Sequence, residues 1–141
     1  MVSYYQSRRR GNFIIDERFV GRSIEVYTID GDKLMGLVDE VSNYEIGMLV
    51  ENAATIIPRS SIVYVVTGQS DVHGYGECCE KDFVLDEEFI GSDVEVKLIN
   101  NYSVSGRLVK AVRNEIAILQ QNRAYVIPRN GVAYIKILKR L

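Results

Sequence analysis

The sequence predicts an all-β protein with short helices, built from two tandem, strongly bent, five-stranded antiparallel barrels. When the 141-residue chain is shifted by 70 positions, residues 16–66 lie over residues 86–136 without a gap, and 17 of the 51 overlaid positions are identical. Most of each repeat alternates apolar and polar side chains with the period of a half-buried strand. Both repeats also carry a glycine inside the second strand, Gly36 or Gly106, where a chain bends sharply or packs closely.

The repeat divides the chain into parts. A stacked repeat array usually needs three or more units, so two units are expected to be two small domains, each with its own core. The predicted division is a basic arm at 1–12, a first domain at 13–66, a linker at 67–82 and a second domain at 83–141. The linker is predicted from its glycine, serine and acidic residues.

A short helix is predicted at the start of each repeat. Asp16 and Asp86 stand where an N-cap side chain accepts backbone N–H bonds. Gly21 and Gly91 follow where a glycine commonly ends a helix. A helix this short is marginal alone, so it must dock on the strands that follow it.

Five strands follow each helix. They are predicted at 24–27, 33–42, 45–51, 54–57 and 61–66 in the first repeat, and at 94–98, 103–112, 115–121, 124–127 and 132–138 in the second. Pro58 and Pro128 mark the corner before the fifth strand, because proline has no N–H to donate to a ladder. Five strongly bent strands can close into a small barrel, which reduces the number of exposed strand edges.

The composition and motifs of the chain argue against several classes of function. A net charge of −2 gives no overall basic surface, so any nucleic-acid contact must come from local clusters. No apolar run is long enough to cross a membrane and no secretory signal opens the chain, so a cytoplasmic protein is expected. The single histidine lies in the linker, and no catalytic triad or phosphate-binding loop is found. The sequence therefore predicts a protein that is not an enzyme and uses no cofactor.

The two cysteines, Cys78 and Cys79, are adjacent and lie outside both repeats. Neighbouring cysteines bridge poorly, and no framework of spaced pairs exists, so disulfides are not expected to hold the fold. Together with His73, Glu77 and Glu80 they lack the spacing of a zinc site. No metal site is predicted.

The pattern resembles the Sm-like (LSm/Hfq) family. Residues 94–108 are similar to its first motif, a strand, a turn and a strand with a central glycine, and residues 56–65, IIPRSSIVYV, are similar to its second. The resemblance covers both repeats. It implies rings in which the fourth strand of one unit pairs with the fifth of the next, and which bind single-stranded RNA. Three chains of two units would give a pseudo-hexameric homo-oligomer, and four chains a pseudo-octamer.

The positions that contact RNA in that family differ here. They read Asn43, Glu45 and Gly47 in the first repeat and Arg113, Glu115 and Ala117 in the second, so an acid replaces the stacking residue and an Asn amide is missing. Both acids are interpreted as surface carboxylates at strand starts. The candidate RNA-binding residues are Arg59, Arg129, Asn43, Arg113, Arg8, Arg9 and Arg10.

Alternatives remain open for these residues and for the whole chain. Arg59 and Arg129 can contact a base or phosphate, or each can pair with an acid across a contact between domains or subunits. The arginines of the arm can bind single strands or only aid solubility. The predicted function is a ring that binds single-stranded RNA, and the alternative is a scaffold for protein partners that has lost the base pocket. Residues 36–39 and the pair Ile57-Pro58 are also compatible with a PRC-type barrel, but the second repeat fits the Sm pattern better.

Overall fold

The structure is a computed structural model that describes residues 13–72, 74, 76 and 78–140. The basic arm at 1–12, with Arg8, Arg9 and Arg10, lies outside the described residues, as do His73 and Glu77. The interpretations given to those residues therefore stay predictions.

The described residues form ten strands, five in each repeat. They are β1 Ser23–Thr28, β2 Lys33–Val41, β3 Glu45–Val50, β4 Ala53–Pro58, β5 Ile62–Val66, β6 Asp93–Leu98, β7 Ser103–Ala111, β8 Glu115–Gln120, β9 Arg123–Pro128 and β10 Val132–Lys139. The all-β prediction is confirmed, and each strand lies within one or two residues of its predicted bounds.

All ten strands belong to one antiparallel sheet, in the order β5-β1-β2-β3-β4-β10-β6-β7-β8-β9. The halves are joined where β4 pairs with β10, with Ile56 opposite Ile135 and Thr55 opposite Lys136. Two separate barrels were expected, so this part of the prediction is not confirmed. The physical reason is that β4 and β10 would otherwise each leave a row of unpaired backbone groups, and their pairing satisfies both rows. In the described chain the sheet does not close, and its edges are β5 and β9.

The short helices are single 3-10 turns at Glu17–Phe19 and Glu87–Phe89. Both predicted N-caps are confirmed, since the Asp16 carboxylate accepts the N–H of Arg18 at 3.1 Å and that of Asp86 accepts the N–H of Glu88 at 3.0 Å. Further 3-10 turns at Arg59–Ser61 and Arg129–Gly131 follow the two corner prolines, and another lies in the linker at Gln69–Val72.

The buried apolar side chains of the described residues form two clusters, one centred on each repeat. The first is built around Phe19, Ile46 and Met48 but also contains Ala133 and Tyr134 from the second repeat. The second cluster in turn contains Ile56 from the first repeat (Ile118 and Leu108 are among its other members). The two cores therefore share side chains across the contact between the repeats.

The linker contributes Cys78 and Cys79, which pack against the first core. Because the two cysteines are neighbours in sequence, a bond between them connects no two elements of the fold. Within the described ranges, no helix has the length and apolar character needed to span a membrane.

Candidate functional site

The candidate site is the junction, meaning the contact between the first repeat and the second along β4 and β10. Residues 79–85, which precede the second 3-10 turn, run beside the connection from β2 to β3. There the N–H groups of Asn43 and Tyr44 donate to the carbonyls of Lys81 and Asp82, each at 2.9 Å. The Ser42 hydroxyl donates to the Asp82 carbonyl at 2.9 Å. The chain entering the second repeat is thus fixed on the first.

Glu45 is the buried acid of the junction. Its Oε1 accepts the N–H groups of Val84 and Leu85 at 2.7 and 2.8 Å, and its Oε2 accepts Arg129 Nη1 at 3.0 Å. Burial raises the pKa of Glu45, and the hydrogen bonds and the Arg129 charge act in the opposite direction. The interpretation of Glu45 as a surface carboxylate is wrong, because the residue closes the junction from inside. Its counterpart Glu115 is exposed.

The corner arginines occupy equivalent places in the two repeats. Arg59 Nε donates to the Ser42 carbonyl at 3.1 Å, and Arg129 Nε donates to the Val112 carbonyl at 2.9 Å. Arg59 Nη2 also donates to the Ile15 carbonyl at 2.9 Å. Burial lowers the pKa of Arg59 to about 10. The Arg59 guanidinium therefore binds the protein's own backbone, whereas that of Arg129 binds one backbone carbonyl and the Glu45 carboxylate.

Each arginine also lies over a phenylalanine that the sequence comparison missed. The Arg59 guanidinium is 3.7 Å from the ring centroid of Phe13, and that of Arg129 is 4.1 Å from the centroid of Phe83. The two phenylalanines are 70 positions apart, as the repeat requires. The compared stretch began at Asp16, so extending it by three residues would have found them.

A cavity of about 410 Å³ opens beside this pair, lined in part by Tyr44, Phe83 and Arg113. Arg113 is mostly exposed, forms an ion pair with Asp82 at 3.2 Å, and lies 5.8 Å from the Tyr44 ring centroid. Asn43 Nδ2 donates to the same carboxylate at 2.9 Å. These two hydrogen bonds hold the pKa of Asp82 below its usual value.

The structure therefore brings together three of the candidate residues at the junction: Asn43, Arg113 and Arg129. Arg59 does not line that cavity, and its guanidinium contacts the ring of Phe13 near the start of the described residues. Among the described residues, no group of three or more His, Cys, Asp and Glu side chains could hold a metal ion.

A second polar cluster lies elsewhere along the junction, in the turn between β1 and β2. Tyr134 donates its hydroxyl to Asp32 Oδ2 at 2.7 Å, and Lys97 Nζ is 3.1 Å from both Asp32 Oδ2 and Asp30 Oδ2. The Tyr134 hydrogen bond, followed by Lys97, holds the pKa of Asp32 below its usual value. The repeat analysis gave no signal for this cluster, because only Tyr134 has an identical counterpart.

Two positions that are buried at the junction are exposed in the edge strands. Ile56 in β4 is 2% exposed, whereas its counterpart Val126 in the edge strand β9 is 61% exposed. Tyr134 in β10 is 7% exposed, whereas its counterpart Tyr64 in the edge strand β5 is 53% exposed. Each edge of the sheet thus exposes a surface equivalent to one side of the junction.

Comparison with protein-family models finds no match to this chain. Comparison with curated proteins finds no match either. The functional argument therefore rests on the residues and contacts of the junction and of the two edge strands.

Proposed function

We propose that the chain is an Sm-like assembly module whose copies join head to tail, each new contact repeating the junction inside the chain. One observation carries this proposal: Ile56 and Tyr134 are buried between β4 and β10, whereas their counterparts Val126 and Tyr64 are exposed on β9 and β5. A long, apolar strand edge invites pairing with another chain. In the proposed contact, β9 of one copy pairs with β5 of the next copy, as β4 pairs with β10 inside the chain.

The 70-residue offset predicts the register of this contact. Because Ile56 pairs with Ile135, Val126 of one copy is expected opposite Val65 of the next. Such a contact joins two different surfaces, so it forms a ring if the rotation between copies closes. Two Sm-like units per chain make a trimer the expected ring, with a tetramer as the alternative.

Glu115 is expected to close this contact as Glu45 closes the internal one. It is exposed, and its carboxylate lies in no ion pair with another described residue. The 70-residue offset gives the partners of Glu115 on the next copy. They are the N–H groups of Ile14 and Ile15, which correspond to Val84 and Leu85, and the guanidinium of Arg59, which corresponds to Arg129. Arg59 Nη1 has no hydrogen-bond partner within residues 13–140 as described, so it remains available for Glu115.

The assembly is tested with the variant Glu115→Arg. The wild-type chain is expected to form oligomers of three 16.0 kDa chains in light scattering. In the variant a second cation faces Arg59, and like charges brought together cost several kcal/mol, so association should weaken by roughly a hundredfold or more. Glu80→Arg makes the same charge change at an exposed residue outside both edge strands and should assemble normally. A wild-type protein that stays a monomer at every working concentration would refute the proposal.

A second candidate function is binding of single-stranded RNA at the junction cavity. The observation that favours it is the combination of two aromatic rings, Tyr44 and Phe83, with the exposed guanidinium of Arg113. Bases stack on aromatic rings with little regard to sequence, and cations follow the phosphates. Because Arg59 and Arg129 bind groups within the protein, Arg113 is the arginine expected to contact RNA.

Arg113→Ala is expected to weaken binding of oligo-U or oligo-A and to flatten its salt dependence, measured by fluorescence anisotropy at low salt. One fewer phosphate contact reduces the slope of binding against salt by about one unit. Lys110→Ala is the control, since Lys110 is an exposed cation on β7 and does not line the cavity. If the wild-type protein binds neither oligonucleotide at low salt, the RNA candidate fails and the assembly proposal stands alone.

A further inference from the structure

The internal junction contains ion pairs that are absent from the equivalent positions on the outer surfaces of the two repeats. Inside the chain, Asp30 and Asp32 in the β1–β2 turn meet Lys97 of β6 and the hydroxyl of Tyr134 in β10. Each of these residues has a counterpart 70 positions away, in the β6–β7 turn, on β1 or on the edge strand β5. The residue types at these counterpart positions indicate which side chains meet when two copies associate.

Both sides of the cluster change together in these counterparts. On one side Asp30 and Asp32 are replaced by Asn100 and Tyr102, so both acids are lost. On the other side Lys97 is replaced by Tyr27, so the cation is lost as well. A carboxylate without its cation would be left unpaired on association. The paired loss keeps the two outer surfaces compatible with each other.

Two of these three places are taken by tyrosines, Tyr102 and Tyr27, and the third by Asn100. Tyr102 is 72% exposed in the β6–β7 turn. Tyr27 and Tyr64 lie side by side on β1 and β5, with ring centroids 4.4 Å apart and planes inclined by 12°. Tyr64 occupies the position of Tyr134, the residue that meets Asp32 inside the chain.

We infer that Tyr102 of one copy packs against the stacked Tyr27–Tyr64 pair of the next copy, forming an aromatic clasp between chains. The inference rests on the proposed head-to-tail assembly and names the contact that secures it. Aromatic pairs stabilise a contact beyond the area they bury. An aromatic contact of this kind has no ion pair for salt to screen, unlike the ionic cluster inside the chain.

The clasp is tested by complementation between two variants, Tyr102→Ala and Tyr64→Ala. Alone, each should associate about ten- to a hundredfold more weakly than the wild type, because every contact between copies lacks one side of the clasp. In an equimolar mixture, the intact Tyr102 of one variant can meet the intact Tyr64 of the other. The mixture is therefore expected to associate more tightly than either variant alone in sedimentation velocity.

The control variant is Val109→Ala, which truncates an exposed apolar side chain on β7, a strand that lies at neither edge of the sheet. It should associate as the wild type does. A wild-type protein that assembles while Tyr102→Ala assembles equally well overturns the clasp and leaves the assembly proposal standing. A mixture that associates no better than either variant alone also overturns the clasp. A wild-type protein that never assembles overturns both proposals.

A fluorescent reporter gives an independent measurement. The chain contains no tryptophan, so the variant Tyr102→Trp carries a single one at the clasp. Its emission is expected to shift to shorter wavelength as the protein concentration is raised through the association range, and to remain unshifted when Tyr64→Ala is added to the same chain. An emission that does not respond to concentration, in a variant that still assembles, contradicts the inference.

Discussion

Replacing Arg129 by alanine is expected to lower the free energy of unfolding by about 3–5 kcal/mol, because it leaves the buried Glu45 carboxylate without its cation. The two groups are 3.0 Å apart, and their side chains are 12% and 3% exposed. The variant also loses the bond to the Val112 carbonyl and the contact with Phe83. Urea unfolding at a protein concentration below that of association measures the change.

Two comparisons separate the buried charge from other effects of the substitution. Arg107→Ala removes an exposed arginine of β7 that makes no ion pair among the described residues, and should change the stability by less than about 0.5 kcal/mol. Adding Glu45→Gln to Arg129→Ala removes the uncompensated charge and should restore part of the loss. If the single and double variants unfold at the same urea concentration, charge burial does not explain the effect.

The pH dependence of the Arg129→Ala variant follows from the same contact. Burial raises the pKa of Glu45 above its ordinary value of 4.5, and loss of Arg129 removes one of the groups that oppose the rise. An acid with a raised pKa in the folded state takes up its proton at higher pH than the unfolded chain does, so the folded state gains stability as pH falls toward 4.5. The gap between variant and wild type should therefore narrow as the pH is lowered from neutral toward that value.

Much of the fold follows from local features of the sequence. The two Asp N-caps and the positive-φ glycines Gly21 and Gly91 act over a few residues, and the sequence pattern identified each one. The continuous sheet was not predicted. Whether β4 closes on its own repeat or pairs with β10 depends on contacts between residues about 80 positions apart, and an alternating pattern is the same in both cases.

The candidate site was predicted only in part for a related reason. The sequence left open whether the corner arginines pair with an acid, and Arg129 does pair with Glu45 of the other repeat. It did not distinguish the environments of Glu45 and Glu115, because the two residues are identical and differ only in whether another unit lies beside them. Burial at an interface is a property of the assembled units, and a single repeat carries no signal for it.

The strand glycines provide the second large expected effect. A Cβ atom at Gly36 would lie far inside van der Waals contact with the backbone carbonyl of Leu49, and one at Gly106 would lie 2.9 Å from Ile118 Cγ2 and closer still to the carbonyl of Leu119. Backbone of the neighbouring strand cannot move aside without breaking the β2–β3 or β7–β8 ladder. Gly36→Ala is therefore expected to destabilise the protein by about 3 kcal/mol, the upper end for overpacking.

Gly131→Ala is the matched control for this prediction. No described atom lies within 4 Å of the Cβ position at Gly131, and its φ is not positive. Alanine should therefore change the stability there by less than about 0.5 kcal/mol, or raise it slightly by restricting the unfolded chain. In thermal unfolding, Gly131→Ala should have the melting temperature of the wild type, and Gly36→Ala and Gly106→Ala should have much lower ones. Equal melting temperatures for all three would mean that the strands do not approach closely at the glycines, and the bend assigned to both repeats would be wrong.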